Sequence, residues 1–282
     1  MPSTNTPEKH VIVFTGVEGA LLQFGSFDIK EILHALDHLQ RDSIPLIITS
    51  DRTIPETTAI IRHLNLTYPF IAECGAALAI PSGCFRTEFN YHRKLDDWFI
   101  IEFGLPAYDI YKAISEIRQK HNLKFECLIE LEDGDVDEQK APLTQQQFEL
   151  CCQREYSVAI RIHADDDSRD NFISQIEDLH LRIKEKDDSS IITADHDEGS
   201  AMRFLTQIYR EEYNSDEIVT IGIGATWMDA PMLYTVDEPV LVRQADGLFD
   251  GRIGRRNMKF TRYPGQIGWN QALITLLTGE ED

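Results

Sequence analysis

Short, continuously apolar segments recur along the chain, and stretches with helical periodicity separate them. His10–Thr15 (HVIVFT) is a β-branched run that ends at a glycine, which is typical of a buried parallel strand entering a loop. The segments that share this short, doubly buried character, and that we predict as strands, are Ile44–Thr49, Phe70–Ala72, Ile218–Ile223 and Pro239–Val242.

Apolar residues at helical spacing lie between these strands. Ile29, Ile32 and Leu36 recur in this way after Ser26 and Asp28, which are favourable N-cap residue types. Further helices are predicted over Thr57–Leu64, Ala201–Tyr209 and Trp269–Leu277. Strands that alternate with helices predict an α/β fold with a doubly wound parallel sheet, which binds ligands beyond the carboxyl ends of its strands.

The middle of the chain has a different, α+β order of elements. It predicts strands over Phe85–Tyr91, Leu123–Ile129, Tyr156–Ile162 and Leu181–Ile183, with helices after Pro106 and over Asn171–Leu179. We therefore predict that residues 84–190 form a second domain inserted into a core made of residues 1–83 and 191–282. The acidic runs Glu130–Glu138 and Asp165–Asp167 are predicted to be exposed loops. The alternative, calcium binding, is less favoured because neither run has the glycine and ligand spacing of an EF-hand.

Composition excludes several functional classes. The 282 residues include 27 Lys and Arg against 48 Asp and Glu, a net charge of −21 at pH 7. Phosphate backbones and anionic lipids repel such a protein, so we expect neither nucleic-acid nor membrane binding. No apolar run is long enough to span a bilayer and no signal sequence is evident, which predicts a cytoplasmic location. The five cysteines lack CxxC spacing and indicate neither a disulfide framework nor a zinc site.

Several segments resemble a known family of phosphatases. Val13–Leu22 (VFTGVEGALL) resembles the first motif of the haloacid dehalogenase phosphatases, a strand followed by DxDGTLL. Gly222–Leu233 and Pro264–Asn270 are similar to stretches of the mannosyl-3-phosphoglycerate phosphatases, and Glu73–Pro81 and Arg154–Ser157 occur in that family's order and spacing. The resemblance covers nearly the whole chain. It implies a Rossmann-like core with an inserted cap of the Cof type, type IIB, over the catalytic crevice.

The resemblance also implies a chemistry. In this family an aspartate at the end of the first strand attacks phosphorus, and a second aspartate two residues later protonates the leaving oxygen. A threonine or serine, a lysine and Mg²⁺ hold the phosphoryl group and offset its negative charge.

The present chain departs from this pattern at most catalytic positions. Gly16 stands in place of the nucleophile, and Glu18 stands in place of the acid/base aspartate with one additional methylene. Glu198 replaces the lysine of KGxA. In the fourth motif, GDSxND, Ala225 replaces the first aspartate and Asp229 alone survives. These substitutions predict that Mg²⁺ binding is weak or absent.

Positions expected to bind substrate are kept only in part. Thr49 matches the hydroxyl residue that holds phosphate, and Ser50 follows it. Asp51 stands where a lysine is usual, with Arg52 as a substitute cation one residue later, while Arg154 matches the cap motif. A phosphorylated, carboxylated sugar needs cations for its recognition.

Two functional hypotheses follow. The first is a catalytically degenerate phosphatase relative whose core and cap bind a phosphorylated small molecule or a protein partner. The second is a metal-dependent phosphohydrolase of a phosphorylated sugar or glycerate derivative, with Mg²⁺ or Ca²⁺ held by Glu18, Glu198 and Asp229. A simpler interpretation of Glu198 is that it only begins a helix, where the backbone dipole favours an acid. Trp227 is predicted to border the crevice, packing against the sheet or stacking on a ligand.

Overall fold

The computed structural model describes residues 10–23, 26–121, 125–127, 144–162, 166–186, 189–254 and 256–279. Within these residues, strands and helices form one large and one small sheet, each with helices packed against it. The large sheet has nine strands in the order β13-β12-β11-β1-β2-β3-β4-β6-β5. In chain order they are β1 His10–Gly16, β2 Leu46–Thr49, β3 Phe70–Ala72, β4 Ala77–Pro81, β5 Arg93–Leu95, β6 Trp98–Glu102, β11 Ile218–Gly224, β12 Glu238–Arg243 and β13 Lys259–Pro264.

The parallel part of this sheet runs from β13 to β3, and β4, β6 and β5 extend it by antiparallel pairing. Alternate residues of β1 enter two separate cores. Val13 packs on one face with helices α1, α2 and α8, while Ile12 and Phe14 pack on the other face with α6 and α7. These helices are α1 Leu33–Arg41, α2 Ile54–His63, α6 Glu198–Tyr213, α7 Ala230–Thr235 and α8 Gly265–Thr278. Helices on both faces confirm the predicted doubly wound α/β core.

The small sheet is antiparallel and has the order β7-β8-β10-β9. Ile110, Ile114, Phe172 and Ile176 of two helices pack against it and form a third core. Its elements are α3 Ala107–His121, β7 Phe125–Cys127, α4 Gln145–Cys151, β8 Ser157–Ile162, α5 Asp166–Asp178, β9 Leu181–Glu185 and β10 Ser190–Ala194. We refer to this α+β unit as the cap and to the large sheet with its helices as the core.

Strand pairing places the change from core to cap later than residue 84, the position predicted from sequence. β5 and β6 form a hairpin that pairs with β4 and so belongs to the core sheet. Residues 85–91, predicted as a strand, lie in a loop without strand pairing. β10 pairs along its whole length with β8 or β9, so the cap sheet extends to Ala194 rather than ending at residue 190. Hairpin formation with an existing edge strand is a tertiary event that local periodicity does not reveal.

Within the described residues, the remaining predicted strands and helices are present, with ends that differ by a few residues. Of the predicted strand Leu123–Ile129, only Phe125–Cys127 lies in the described residues. The acidic run 130–138 lies outside the described residues, and so does residue 165. Asp166 and Asp167, the other two residues of the second acidic run, begin α5 instead of forming a loop. In the part of the chain that the structure describes, no helix is both long enough and apolar enough to cross a membrane.

Candidate functional site

The candidate site lies where the parallel strands of the core end. Gly16 is the last residue of β1 and is paired in register with Thr49, the last residue of β2. The loops after β1, β2 and β11 surround a cavity of about 270 Å³. Its lining residues are Val17, Glu18, Thr49, Ser50, Asp51, Lys186, Glu198, Thr226, Trp227, Met228, Asp229, Gln244 and Arg252. This is the position at which doubly wound sheets bind ligands.

The Asp229 carboxyl group occupies the space beside Gly16. A Cβ atom built on Gly16 would lie 2.6 Å from Cγ of Asp229 and closer still to its Oδ1, which no real side chain tolerates. Asp229 is fixed there because its Oδ2 accepts hydrogen bonds from the backbone N–H groups of Ala225, at 2.9 Å, and Thr226, at 3.0 Å. The surviving acid of the fourth motif therefore holds its own loop together and fills the position next to the missing nucleophile.

This environment changes the acidity of Asp229. Burial raises the pKa of the carboxyl group, and the negative charges of Glu18 and Glu198 raise it further, to about 7. The hydrogen bonds from Thr226 and Ala225 stabilise the carboxylate and oppose part of this increase. At neutral pH the group is consequently divided between its protonated and ionised forms.

Glu18 is paired with Arg52 instead of standing alone in the crevice. Nε of Arg52 donates to Oε1 of Glu18 over 2.6 Å, and a second nitrogen of the guanidinium group contacts the same oxygen. Nη1 of Arg52 also lies 3.4 Å from Oε1 of Glu56 on α2. Arg52 therefore neutralises acids of the core and does not line the cavity.

Glu198 has a cationic partner that the sequence analysis did not identify. It begins α6, as its simpler interpretation predicted, and Asp197 caps the helix by accepting the N–H of Ser200 at 3.1 Å. Its carboxylate oxygens lie 3.3 and 3.5 Å from Nζ of Lys184, which β9 of the cap supplies. Both side chains are buried, at 8% exposure for Lys184 and 4% for Glu198.

Asp51 is likewise matched by a lysine of the cap. Its carboxylate forms an ion pair with Nζ of Lys186, and its carbonyl oxygen accepts a hydrogen bond from Nη1 of Arg154 at 3.1 Å. Burial by itself would raise the pKa of Asp51, but the charge of Lys186, supported by Arg154 and Arg52, lowers it to about 2.

The two predicted hydroxyl residues are buried at the floor of the cavity. Thr49 Oγ1 lies 3.3 Å from both the carbonyl oxygen of Thr15 and the sulfur of Met232. Ser50 Oγ accepts the backbone N–H of Arg52 at 3.1 Å. The structure thus brings Thr49 and Ser50 together with Glu18, Glu198 and Asp229 at one cavity. Arg154 lies behind it, bonded to Asp51 and, at 2.9 Å, to Ser157.

The three predicted metal ligands do not form a metal site. Glu18 is bound to Arg52, Glu198 to Lys184, and Asp229 to backbone N–H groups. Among the described residues, no group of three or more His, Cys, Asp or Glu side chains is arranged to hold a metal ion. Divalent cations need several oxygen ligands that are not already neutralised by cations, so this donor set does not fit Mg²⁺.

The residues missed from sequence are cations at the site: Lys186 and Arg252 line the cavity, and Lys184 is bonded to Glu198 in its wall. Lys184 and Lys186 flank one glutamate in the sequence KEK, and this alternation of charge at the end of a strand was the available signal. Arg252 lies over the ring of Trp227, 5.2 Å from its centroid, so the indole is already stacked on a side chain of the protein. The backbone N–H of Trp227 donates to Oδ2 of Asp250 at 2.9 Å.

Comparison with known proteins agrees with the resemblance found in the motifs. No protein-family model matches the chain. A glucosyl-3-phosphoglycerate/mannosyl-3-phosphoglycerate phosphatase of Methanococcoides burtonii is 32% identical over 269 residues, which cover 95% of this chain and 97% of that protein. The chain belongs to this phosphatase family.

Solved structures of haloacid dehalogenase-like proteins share the fold of this chain. A haloacid dehalogenase-like hydrolase from B. subtilis is similar with a TM-score of 0.62 and 14% identity, covering 95% of this chain and 99% of that one. A subclass IIB sugar phosphatase of the superfamily has a TM-score of 0.60 at 14% identity, covering 94% and 98%. At these identities the likeness establishes the fold, a core with an inserted cap.

Proposed function

We propose that this member of the phosphatase family is catalytically degenerate and has kept its core and cap for binding. The observation that carries the proposal is the Asp229 carboxyl group packed beside Gly16. In the family pattern an aspartate side chain would project from the position of Gly16 toward phosphorus. Here that space is filled, and Gly16 has no side chain that can attack.

The remaining acids of the site do not replace the missing nucleophile. Attack on phosphorus requires an ionised carboxylate with a free oxygen lone pair directed at the ligand. Asp229 is held back toward its own loop by the backbone N–H groups that Oδ2 accepts, and a pKa of about 7 leaves it only partly ionised at neutral pH. Glu18 is neutralised by Arg52. Losing one member of a catalytic constellation normally removes most of the rate, and further losses then cost little.

A binding role is supported by what still lines the cavity. Thr49 and Ser50 supply hydroxyl groups, and Lys186 and Arg252 line the cavity as cations that are paired with Asp51 and Asp250. Such groups bind phosphate oxygens in proteins. We therefore propose a phosphorylated small molecule as the ligand, with binding of a protein partner as the alternative outcome.

A phosphatase assay on the purified chain tests the proposal. With mannosyl-3-phosphoglycerate or an aryl phosphate and Mg²⁺, we expect phosphate release no faster than in a protein-free control. The variants Glu18→Gln and Asp229→Asn should give the same background rate as the unmodified protein. Turnover that disappears in either variant would contradict the proposal and favour a metal-dependent phosphohydrolase.

Isothermal titration calorimetry tests the proposed binding role. We expect heat of binding from mannosyl-3-phosphoglycerate without metal, and weaker binding in an Arg252→Ala variant. Lys259→Ala is the matched control, because Lys259 pairs with Glu238 on the core sheet and does not line the cavity. No heat from the sugar phosphate would leave a protein partner as the proposed role, and strong binding of Mg²⁺ alone would contradict the absence of a metal site.

A further inference from the structure

Two lysines of the cap are directed at two different loops of the core. Lys184 lies in β9, and Lys186 follows two residues later, so both side chains emerge on the same face of the extended segment. Lys184 reaches Glu198 at the start of α6, and Lys186 reaches Asp51 in the loop after β2. The same short segment therefore holds two loops at the cavity rim.

The two ion pairs between the lysines and the core include buried side chains. Lys184 and Glu198 are both almost fully removed from solvent, and Asp51 is 8% exposed. Charged side chains are rarely buried unless they are paired, because removing an isolated charge from water is strongly unfavourable. In the Lys184–Glu198 pair, replacing either partner would leave the other charge buried without compensation. The Lys186 side chain is 38% exposed, so in the second pair only Asp51 would be left buried without its partner. Each pair therefore favours the arrangement in which cap and core touch.

Hydrogen bonds cross the same boundary between cap and core. The buried carboxylate of Glu73, in the loop after β3, accepts the backbone N–H groups of Glu155 at 2.9 Å and Tyr156 at 3.1 Å. Thr53 Oγ1, at the start of α2, donates to the carbonyl oxygen of Leu150 at 2.9 Å. The loops after β2 and β3 and the start of α6 are thus all bonded to the cap.

We propose that Lys184 and Lys186 form a latch that holds the cap closed on the core in the absence of any ligand. Asp51 and Glu198 are the acids with which the two lysines form ion pairs. The latch is a property of the closed fold and does not depend on whether the cavity binds a phosphorylated ligand. It extends the proposed function, because a molecule entering the cavity meets Lys186 already paired with Asp51.

Charge reversal on the full chain tests the latch. Lys186→Glu places a carboxylate against Asp51, and we expect the cap to open more often. Amide hydrogen exchange at Glu155 and Tyr156 should then be about tenfold faster, which corresponds to about 1.4 kcal/mol in the opening equilibrium. Small-angle scattering should show a larger radius of gyration. Exchange in the middle of α6 should be unchanged if the core remains folded.

A double variant and a matched control test whether the effect comes from the Lys186–Asp51 ion pair. Lys186→Glu combined with Asp51→Lys recreates an ion pair of reversed polarity and should return exchange to nearly the original rate. Lys259→Glu makes the same change of charge in the exposed pair with Glu238 on the core sheet and should have no effect on the cap. The buried pair is tested in the same way with Lys184→Glu and Glu198→Lys, and the Lys186 variants decide the result if those variants do not fold.

Two outcomes would overturn the latch. Unchanged exchange at Glu155 and Tyr156 in the Lys186→Glu variant would mean that the ion pair does not hold the cap. Faster exchange that the double variant fails to reverse would mean that Lys186 acts through something other than Asp51.

Discussion

Gly16 and Asp229 act as one unit at the scale of single residues. Asp229 can fold back onto the N–H groups of Ala225 and Thr226 because no side chain projects from Gly16. Gly224 contributes to the same arrangement, since a Cβ there would lie 2.5 Å from Cβ of Asp229. A carboxyl group in this confined position loses most of its hydration, which explains its raised pKa.

The close approach predicts that Gly16→Ala destabilises the protein. Overpacking of a filled site typically costs about 1–3 kcal/mol, so the midpoint of denaturant unfolding should fall. Gly251→Ala is the matched control, because nothing lies within 4 Å of a Cβ at that position. Combining Gly16→Ala with Asp229→Ala should cost less than the sum of the two single changes, because the second removes the clash. Additive costs would argue against the contact.

The raised pKa of Asp229 predicts a pH dependence of stability. The pKa is 3.8 in the unfolded chain and about 7 in the folded protein, so the folded state binds more protons between these values. The free energy of unfolding should therefore fall as pH rises through this window. Relative to Asp229→Asn, the unmodified protein should lose about 3 kcal/mol between about pH 5 and pH 8, at 1.4 kcal/mol per pKa unit. The exposed Asp246→Asn variant should keep the original slope, and an equal slope in the Asp229→Asn variant would refute the assignment.

At the scale of elements, the start of α2 positions the loop that carries Asp51 and Arg52. Thr53 forms a capping box with Glu56, in which Thr53 Oγ1 accepts the N–H of Glu56 at 3.2 Å and Glu56 Oε2 accepts the N–H of Thr53 at 2.9 Å. The same hydroxyl donates to the carbonyl oxygen of Leu150 in α4. One side chain thus ends the loop, begins the helix and contacts the cap.

Because the Thr53 hydroxyl makes both contacts, we expect Thr53→Ala to lower the free energy of unfolding. Removing an N-cap hydroxyl typically lowers the free energy of unfolding by about 1 kcal/mol. Because the bond to Leu150 is also lost, the reduction should be at least this large in denaturant titration. Thr53→Ser keeps the hydroxyl group and should stay close to the original stability. Equal losses in the two variants would show that the threonine methyl group, not the hydrogen bonds, stabilises this start of α2.

At the scale of the whole molecule, the surface is acidic while cations gather at the boundary of cap and core. The chain has a net charge of −21, yet Lys184, Lys186, Arg52 and Arg154 all lie next to buried or half-buried acids at this boundary. Opposite charges placed in a region of low dielectric interact more strongly than exposed pairs. Repulsion of nucleic acids and anionic membranes by this net negative charge stays a prediction.

The pattern of apolar residues was sufficient to predict most of the core strands and the insertion of a second domain. It failed over residues 85–104, where the loop 85–91 was predicted as a strand of the inserted domain and the β5–β6 hairpin was not predicted. The hairpin extends an existing sheet edge, and which edge a short strand joins depends on contacts with residues distant in the sequence. The ends of the cap were therefore not predictable from periodicity.

The sequence alone determined which chemical groups the site lacks. The glycine at position 16 and the acids at positions 51 and 198 can be read directly from the sequence. The motifs around them identified the family. Only the tertiary structure decided what replaced those groups. Asp229 fills the space beside Gly16, and Lys184 and Lys186 of the cap neutralise Glu198 and Asp51. These partners come from segments that the fold alone brings together, because a buried charge is matched by whichever opposite charge lies nearest in space.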